Sequence, residues 1–288
     1  MTAPRHDIPK GGRSGFVDVE GRQVHYLEWG PAAAPAVVCL HGGGQTAYMY
    51  EDLGAALGDR YHVLAPDLPG HGDSDPIDES VNRRALAATI PPFLGGFGLQ
   101  RVALVGASLG GMTSITVGAS NPDLAGAIVL IDVGHRLEEE GVRKIIGFMR
   151  AHESFASLDE AAAAIGGYLP RRGNVRSESL TRNLRKRDDG RWEWKHSLGQ
   201  RLRAEGEDSN WRDILVGLDE EAAALRCPVL VLRGAFSDVL SGEGAEEVAA
   251  LIPGARLETV ENAGHLAAGD NPHSTVRLVS AFLDTHRW

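Results

Sequence analysis

The chain is predicted to be α/β: a mostly parallel twisted sheet flanked by helices, with a helical cap inserted into it. Three observations predict this. Short apolar runs alternate with longer amphipathic stretches along most of the 288 residues, the pattern of buried parallel strands between covering helices. The alternation breaks between His135 and Trp211 and resumes at Cys227. Hydrophobic residues make up 43% and charged residues 24% with no low-complexity tract, which excludes disorder, collagen and coiled coil.

Taken in order, Met1 to Gly15 is polar and rich in Gly and Pro; it lacks the apolar run of a secretory signal and reads as a loose arm. Gly15–Glu20 and Gln23–Glu28 flank Gly21-Arg22 in the form of a two-residue hairpin. The strand-like runs are Ala36–Leu40, His62–Ala65, Val102–Val105, Ala127–Ile131 and Val229–Leu232, with a weaker one at Arg256–Val260. Covering helices are expected near Ala47–Leu57, Arg83–Ile90, Met112–Ala119, Glu243–Leu251 and Ser274–Thr285. Between His135 and Trp211 there are 15 Lys/Arg against 13 Asp/Glu, whereas the rest of the chain has 14 against 26. The domain reading is therefore a core of 1–134 and 212–288 carrying a helical cap at 135–211.

The net charge of −10 argues against a nucleic-acid or anionic-membrane partner, because phosphate would be repelled on average. No apolar run approaches the roughly 18 residues of a membrane span. Cys39 and Cys227 read as two buried thiols, since a disulfide framework or zinc site needs more ligands at closer spacing. A reducing cytoplasm fits best. No metal and no cofactor is expected, and the chain is expected to be a monomer or homodimer.

Gly106-Ala107-Ser108-Leu109-Gly110 follows one strand-like run and precedes a helix-like stretch. So tight a strand-to-helix turn strains its apex and needs small neighbours, and it lifts the apex serine over a helix N-terminus. A serine hydroxyl needs a base. His265, in the short loop Asn262-Ala263-Gly264-His265-Leu266 after the last run, is the candidate among eleven histidines. An acid must hold its tautomer. Asp238, in a loop with room to reach the histidine, is preferred; Asp132, directly after Ile131, is the rival. His41-Gly42-Gly43-Gly44 lets backbone N–H groups point into a cavity, and no Gly-Lys-Ser/Thr follows to make it a phosphate loop. The N–H groups of Gly43 and Leu109 are the predicted oxyanion donors.

The order of HGGG, then Asp67-Leu68-Pro69-Gly70-His71-Gly72-Asp73-Ser74, then GASLGG, a late Asp and a final Gly-His resembles the α/β-hydrolase fold family along essentially the whole chain. The cap lies where that family commonly carries its lid. The resemblance implies a triad of Ser108, Asp238 and His265, with HGGG as part of the oxyanion hole. It implies a chiefly structural role for Asp67–Ser74.

The fold hosts many reactions. The elbow serine speaks against the dehalogenase and epoxide hydrolase relatives, which carry aspartate there. Leu266 stands where meta-cleavage C–C hydrolases usually carry Trp. The expected activity is hydrolysis of a small-molecule carboxylic ester or lactone through an acyl-enzyme on Ser108. A C–C bond hydrolase and a cofactor-free perhydrolase or haloperoxidase-like enzyme are the alternatives, with a non-catalytic ligand binder behind them. Substrate contacts are expected from His41, Gly42, Gly44, Phe148 and Trp192. Ile145, Ile146, Met149 and Phe155 line a pocket or simply pack. Arg171, Arg172, Arg176, Arg182, Arg185, Arg187 and Arg191 form a basic stretch, read as a solvated face before a carboxylate receptor.

Overall fold

Six of the predicted apolar runs become neighbouring parallel strands. The structure, a computed structural model, describes residues 8–76, 82–169, 175–204 and 211–288. The hairpin is formed by β1 (Arg13–Val19) and β2 (Arg22–Trp29). Then come β3 (Ala36–Leu40), a 3₁₀ turn (Ala47–Tyr50), α1 (Glu51–Leu57), β4 (His62–Pro66) and α2 (Arg83–Gly95). After them stand β5 (Val102–Ala107), α3 (Leu109–Ser120) and β6 (Ala125–Ile131). An intervening segment holds α4 (Glu139–Ala151), β7 (Ser154–Phe155), α5 (Leu158–Tyr168), β8 (Leu184–Lys186), β9 (Trp192–Trp194) and α6 (Leu198–Ala204). The chain closes with α7 (Leu218–Ala223), β10 (Val229–Gly234), α8 (Gly242–Leu251), β11 (Arg256–Val260), α9 (Ala267–Asp270) and α10 (Pro272–Asp284).

The main sheet runs β1-β2-β4-β3-β5-β6-β10-β11, with β1 and β2 antiparallel and the other six parallel. Strand alternation feeds two cores. Val38, Leu40, Leu64 and Leu104 face Leu86, Ile115, Leu218 and Val248 from α2, α3, α7 and α8. Val37, Cys39, Val63 and Val105 face Leu53, Leu57, Val279 and Phe282 from α1 and α10. Both cysteines are buried free thiols, as expected. Among the described residues no helix is long and apolar enough to cross a membrane.

Three expectations need correction. The strand begins at Arg13, and the end of the supposed loose arm is tied down: Lys10 N–H donates to Glu51 Oε1 at 2.8 Å and Lys10 O accepts Trp29 Nε1–H at 3.0 Å. The helix expected to stop at Ile90 continues through Pro91 and Pro92 to Gly95. Each proline omits one ladder bond, but Phe93 and Leu94 stay buried on the same face. The intervening segment is not purely helical. It contains a three-stranded antiparallel sheet, β7-β9-β8, because Trp192 and Trp194 alternate as a strand and Gly190 (φ +84°) makes its turn.

The sheet order explains where chemistry can gather. β3, β5, β6, β10 and β11 are consecutive neighbours and parallel, so their carboxyl ends share one edge. His41–Gly44, Ser108, Asp132, the loop after Gly234 and His265 all follow those ends.

Candidate active site

Ser108 stands at the turn between β5 and α3 with φ +48° and ψ −116°, a backbone that non-glycine residues rarely adopt. Its N–H donates to Ile131 O at 3.0 Å and its carbonyl accepts Met112 N–H at 2.9 Å, so both sides of the bend are anchored. The flanking glycines are needed. A Cβ on Gly110 would lie 2.6 Å from His41 O, and one on Gly106 would lie 2.5 Å from Ser114 Oγ.

His265 follows β11 in a loop packed on the end of β10: Phe236 N–H donates to Ala263 O at 2.8 Å, and a Cβ on Gly234 would lie 2.9 Å from the same carbonyl. The side chain is 11% exposed, and its Nδ1 lies 2.7 Å from Asp132 Oδ2. Asp132 is fully buried, also at positive φ (+51°), and its Oδ1 accepts Gly234 N–H at 2.8 Å. The expectation for Asp238 is thereby corrected. Its carboxylate is 56% exposed and sits 3.4 Å from Lys144 Nζ rather than on the imidazole. The loop's apparent freedom is taken up by the residue before it, since Ser237 Oγ binds Asp132 Oδ2 at 2.6 Å and accepts the N–H groups of Val239 and Leu240. Ser237 went unnoticed in the sequence because a loop serine carries no local signal.

In the His41–Gly44 loop, Gly42 N–H donates to Gln45 Oε1 at 3.1 Å. The N–H groups of Gly43 and Leu109 donate to no partner among the described residues. A Cβ on Gly43 would lie 3.8 Å from Leu109 Cδ2, so the two turns are side by side. His41 does not reach the cavity. It is fully buried, donates Nδ1–H to Gly42 O at 2.8 Å and accepts Leu68 N–H on Nε2 at 2.9 Å. Burial holds it neutral, below the usual histidine range, against the nearby Asp67. It braces the loop rather than touching a ligand.

Ser108, Leu109, Gly42, Gly43, Gly44 and His265 open on one cavity of about 1390 Å³. Ile145, Ile146, Phe148 and Met149 from α4 line it, as do Leu180 and Leu202. Phe155 does not; it is the centre of a small separate core with Ile165, Leu184 and Trp194. Trp192 packs against that core too, whereas Trp194 and Trp211 line the cavity. In the basic stretch, Arg182 pairs with both oxygens of Glu51 at 2.6 and 2.9 Å over the Tyr48 ring, while Arg185, Arg187 and Arg191 bind Glu193, Asp189 and Ser154. Arg176 is exposed at the cavity rim. Arg171 and Arg172 lie outside the described residues.

The Asp67–Ser74 loop is a brace. Buried Asp67 accepts His25 Nδ1–H at 2.7 Å, Ala47 N–H at 2.7 Å and Asp73 N–H at 3.0 Å. Burial raises its carboxyl pKa, but these bonds outweigh it and hold the group below its ordinary range. His25, Asp67 and Asp73 are the one grouping among the described residues with ligand atoms close enough for a metal ion. His25 and Asp67 bind each other, Asp67 also takes the Asp73 backbone N–H, and the Asp73 carboxylate takes Lys195 Nζ at 2.9 Å.

The profile of the alpha/beta hydrolase family matches residues 37–278. The esterase Rv0045c of Mycobacterium tuberculosis is 30% identical, over 93% of this chain and 88% of its own. A crystal structure of that esterase superposes with a TM-score of 0.74 at 27% identity, covering 98% of this chain and 94% of the other. The 2-(acetamidomethylene)succinate hydrolase of Mesorhizobium japonicum is 26% identical over 88% of this chain and 89% of its own.

Proposed function

The chain belongs to the alpha/beta hydrolase family, and on that premise we propose that it hydrolyses a small carboxylic ester or lactone through an acyl-enzyme on Ser108. The observation that carries this reading is the hydrogen bond from His265, which lines the same cavity as the strained Ser108, to the fully buried Asp132. Asp132 fixes Nδ1 as the protonated nitrogen and leaves Nε2 as the base.

Ser108 Oγ attacks the carbonyl carbon while His265 Nε2 takes its proton. The carbonyl oxygen becomes an oxyanion and receives the N–H groups of Gly43 and Leu109, which have no acceptor to give up among the described residues. Collapse expels the alkoxide, which takes the proton from His265. Water then attacks the acyl carbon, gives its proton to His265 and releases the acid, and Ser108 recovers its proton. Preorganised donors of this kind are each worth roughly 10²–10³ in rate.

The segment 135–211 acts in this reading as the cap that selects the substrate. Its apolar lining from Ile145, Ile146, Phe148, Met149, Leu180 and Leu202 suits an apolar acyl or alcohol group. A fluorophosphonate should add to Ser108, found by mass on the peptide that carries it. Ser108→Ala should lose both labelling and turnover of p-nitrophenyl esters at an unchanged melting temperature. Wild-type turnover by Ser108→Ala would overturn the proposal. A panel of apolar esters, lactones and a vinylogous diketo acid separates ester, lactone and C–C cleavage.

A further inference from the structure

The oxygen of Asp132 that receives His265 Nδ1–H has a second donor. Ser237 Oγ lies 2.6 Å from Asp132 Oδ2, a short, charge-assisted O–H···O⁻ distance. The same hydroxyl oxygen accepts Val239 N–H at 3.2 Å and Leu240 N–H at 3.1 Å. A hydroxyl has one proton and two lone pairs. Both lone pairs are taken by amides, so the proton has one place to go, the carboxylate. The direction of the bond is set by the backbone.

We infer that Ser237 is a positioning residue of the hydrolytic site, whose hydroxyl holds the Asp132 carboxylate in place and tempers its pull on the His265 proton. This rests on the reading of Ser108, His265 and Asp132 given above. A carboxylate that accepts one more hydrogen bond spreads its charge and stabilises a neighbouring imidazolium less.

The loop that carries Ser237 is itself held. Val239 O accepts Glu138 N–H at 2.8 Å at the head of α4, and the Arg233 guanidinium donates to Leu240 O at 2.8 Å and to Ala235 O at 3.3 Å. The serine thus joins the buried acid to the start of the segment over the cavity. Other charged groups near the histidine loop are Asp270, whose Oδ2 accepts Gly264 N–H at 2.9 Å, and Asp238 paired with Lys144. None of them is altered by substitution at 237, so a change in pH profile reports the lost hydroxyl.

The test is the pH profile of kcat/KM on a p-nitrophenyl ester for wild type, Ser237→Ala, Ser237→Cys and Ser237→Thr, with fluorophosphonate labelling of Ser108 followed in parallel. Ser237→Ala should move the acid limb upward by about half a pH unit and lower kcat roughly 10-fold. Ser237→Cys, which keeps the shape with a weaker donor, should shift the limb in the same direction by less. Ser237→Thr should restore the wild-type limb. If the Ala variant fails to fold, the Cys variant decides. A wild-type limb position in the Ala or Cys variant, with labelling of Ser108 intact, would overturn the inference, because lost rate alone would then reflect only the two orphaned amides. Absence of labelling in wild type would instead remove the underlying reading.

Discussion

His265 donates its Nδ1–H to Asp132, a residue 133 positions earlier in the chain, across 2.7 Å and onto a carboxylate with no solvent exposure. Asp238, 27 residues away from the histidine and on the surface, makes no such bond. The two carboxylates are therefore distinguishable by one experiment. Asp132→Asn should lower kcat/KM roughly 10³–10⁴-fold, since an amide no longer enforces the tautomer that leaves Nε2 free. Asp238→Asn should remain within about threefold of wild type, because an exposed pair with Lys144 is worth little. Steady-state rates on one p-nitrophenyl ester suffice, and the reverse ranking would restore the loop aspartate.

Gly110 lies under the backbone of the neighbouring strand. Gly110→Ala should lower stability by about 1–3 kcal/mol or more, because its Cβ would press on the carbonyls of Leu40 and His41 and neither can rotate away. Activity should fall with it, as the same carbonyls lead into the Gly42–Gly43 turn. Thermal melting and ester turnover measured together test this; a variant that melts with wild type would show that the turn has slack.

Arg83 is a buried guanidinium spanning three elements. It donates to Thr116 Oγ1 at 2.7 Å, Glu221 Oε2 at 2.5 Å and the carbonyls of Ile214 and Val216 at 2.7 and 2.5 Å. Arg83→Met should destabilise by about 3–5 kcal/mol, since Glu221 and two carbonyls lose their partner in a mostly buried place. The denaturant midpoint should fall clearly, and the double variant with Glu221→Gln should recover part of the loss. If the double variant is no better than the single, the ion pair is not what the arginine supplies.

His71 and His196 meet between the Asp67–Ser74 loop and the segment over the cavity, with ring centroids 5.9 Å apart. Nε2 of His71 and both nitrogens of His196 are buried with no hydrogen-bond partner among the described residues. Burial, then the neighbouring histidines, pushes His71 down to about 3, and burial, then His41, pushes His196 down to about 4. The sign follows from linkage. Below the ordinary histidine value of 6.5 the unfolded chain takes up protons that the folded chain refuses, so stability falls as pH drops from about 6.5 toward 4. His196→Phe, stacking on Trp194 as the imidazole does, should flatten that fall. Urea midpoints at pH 7 and pH 5 measure it; an equal drop in both proteins would place the acid sensitivity elsewhere.

Much of this molecule is legible in its sequence. The six strand runs, five of them buried, and the glycines around Ser108 are local signals: a strand flanked by helices repeats its hydrophobic pattern within a few residues, and a tight turn requires small side chains in its own sequence. The bend at Ser108 and the loop that carries His265 are legible for that reason. Partner choice is not. His265 binds Asp132 rather than Asp238 because β6 and β10 are sheet neighbours, because Asp132 turns back at positive φ, and because Ser237 closes the loop against it. Likewise His41 and Trp192 looked like ligand contacts from their positions in the chain, yet packing turned one inward to brace a loop and gave the cavity wall to Trp194. Local pattern names the chemical groups that are available. Which of them touch is settled by strand order and by competition for the same buried space, and for His265, Asp132 and Ser237 that competition joins residues up to 133 positions apart.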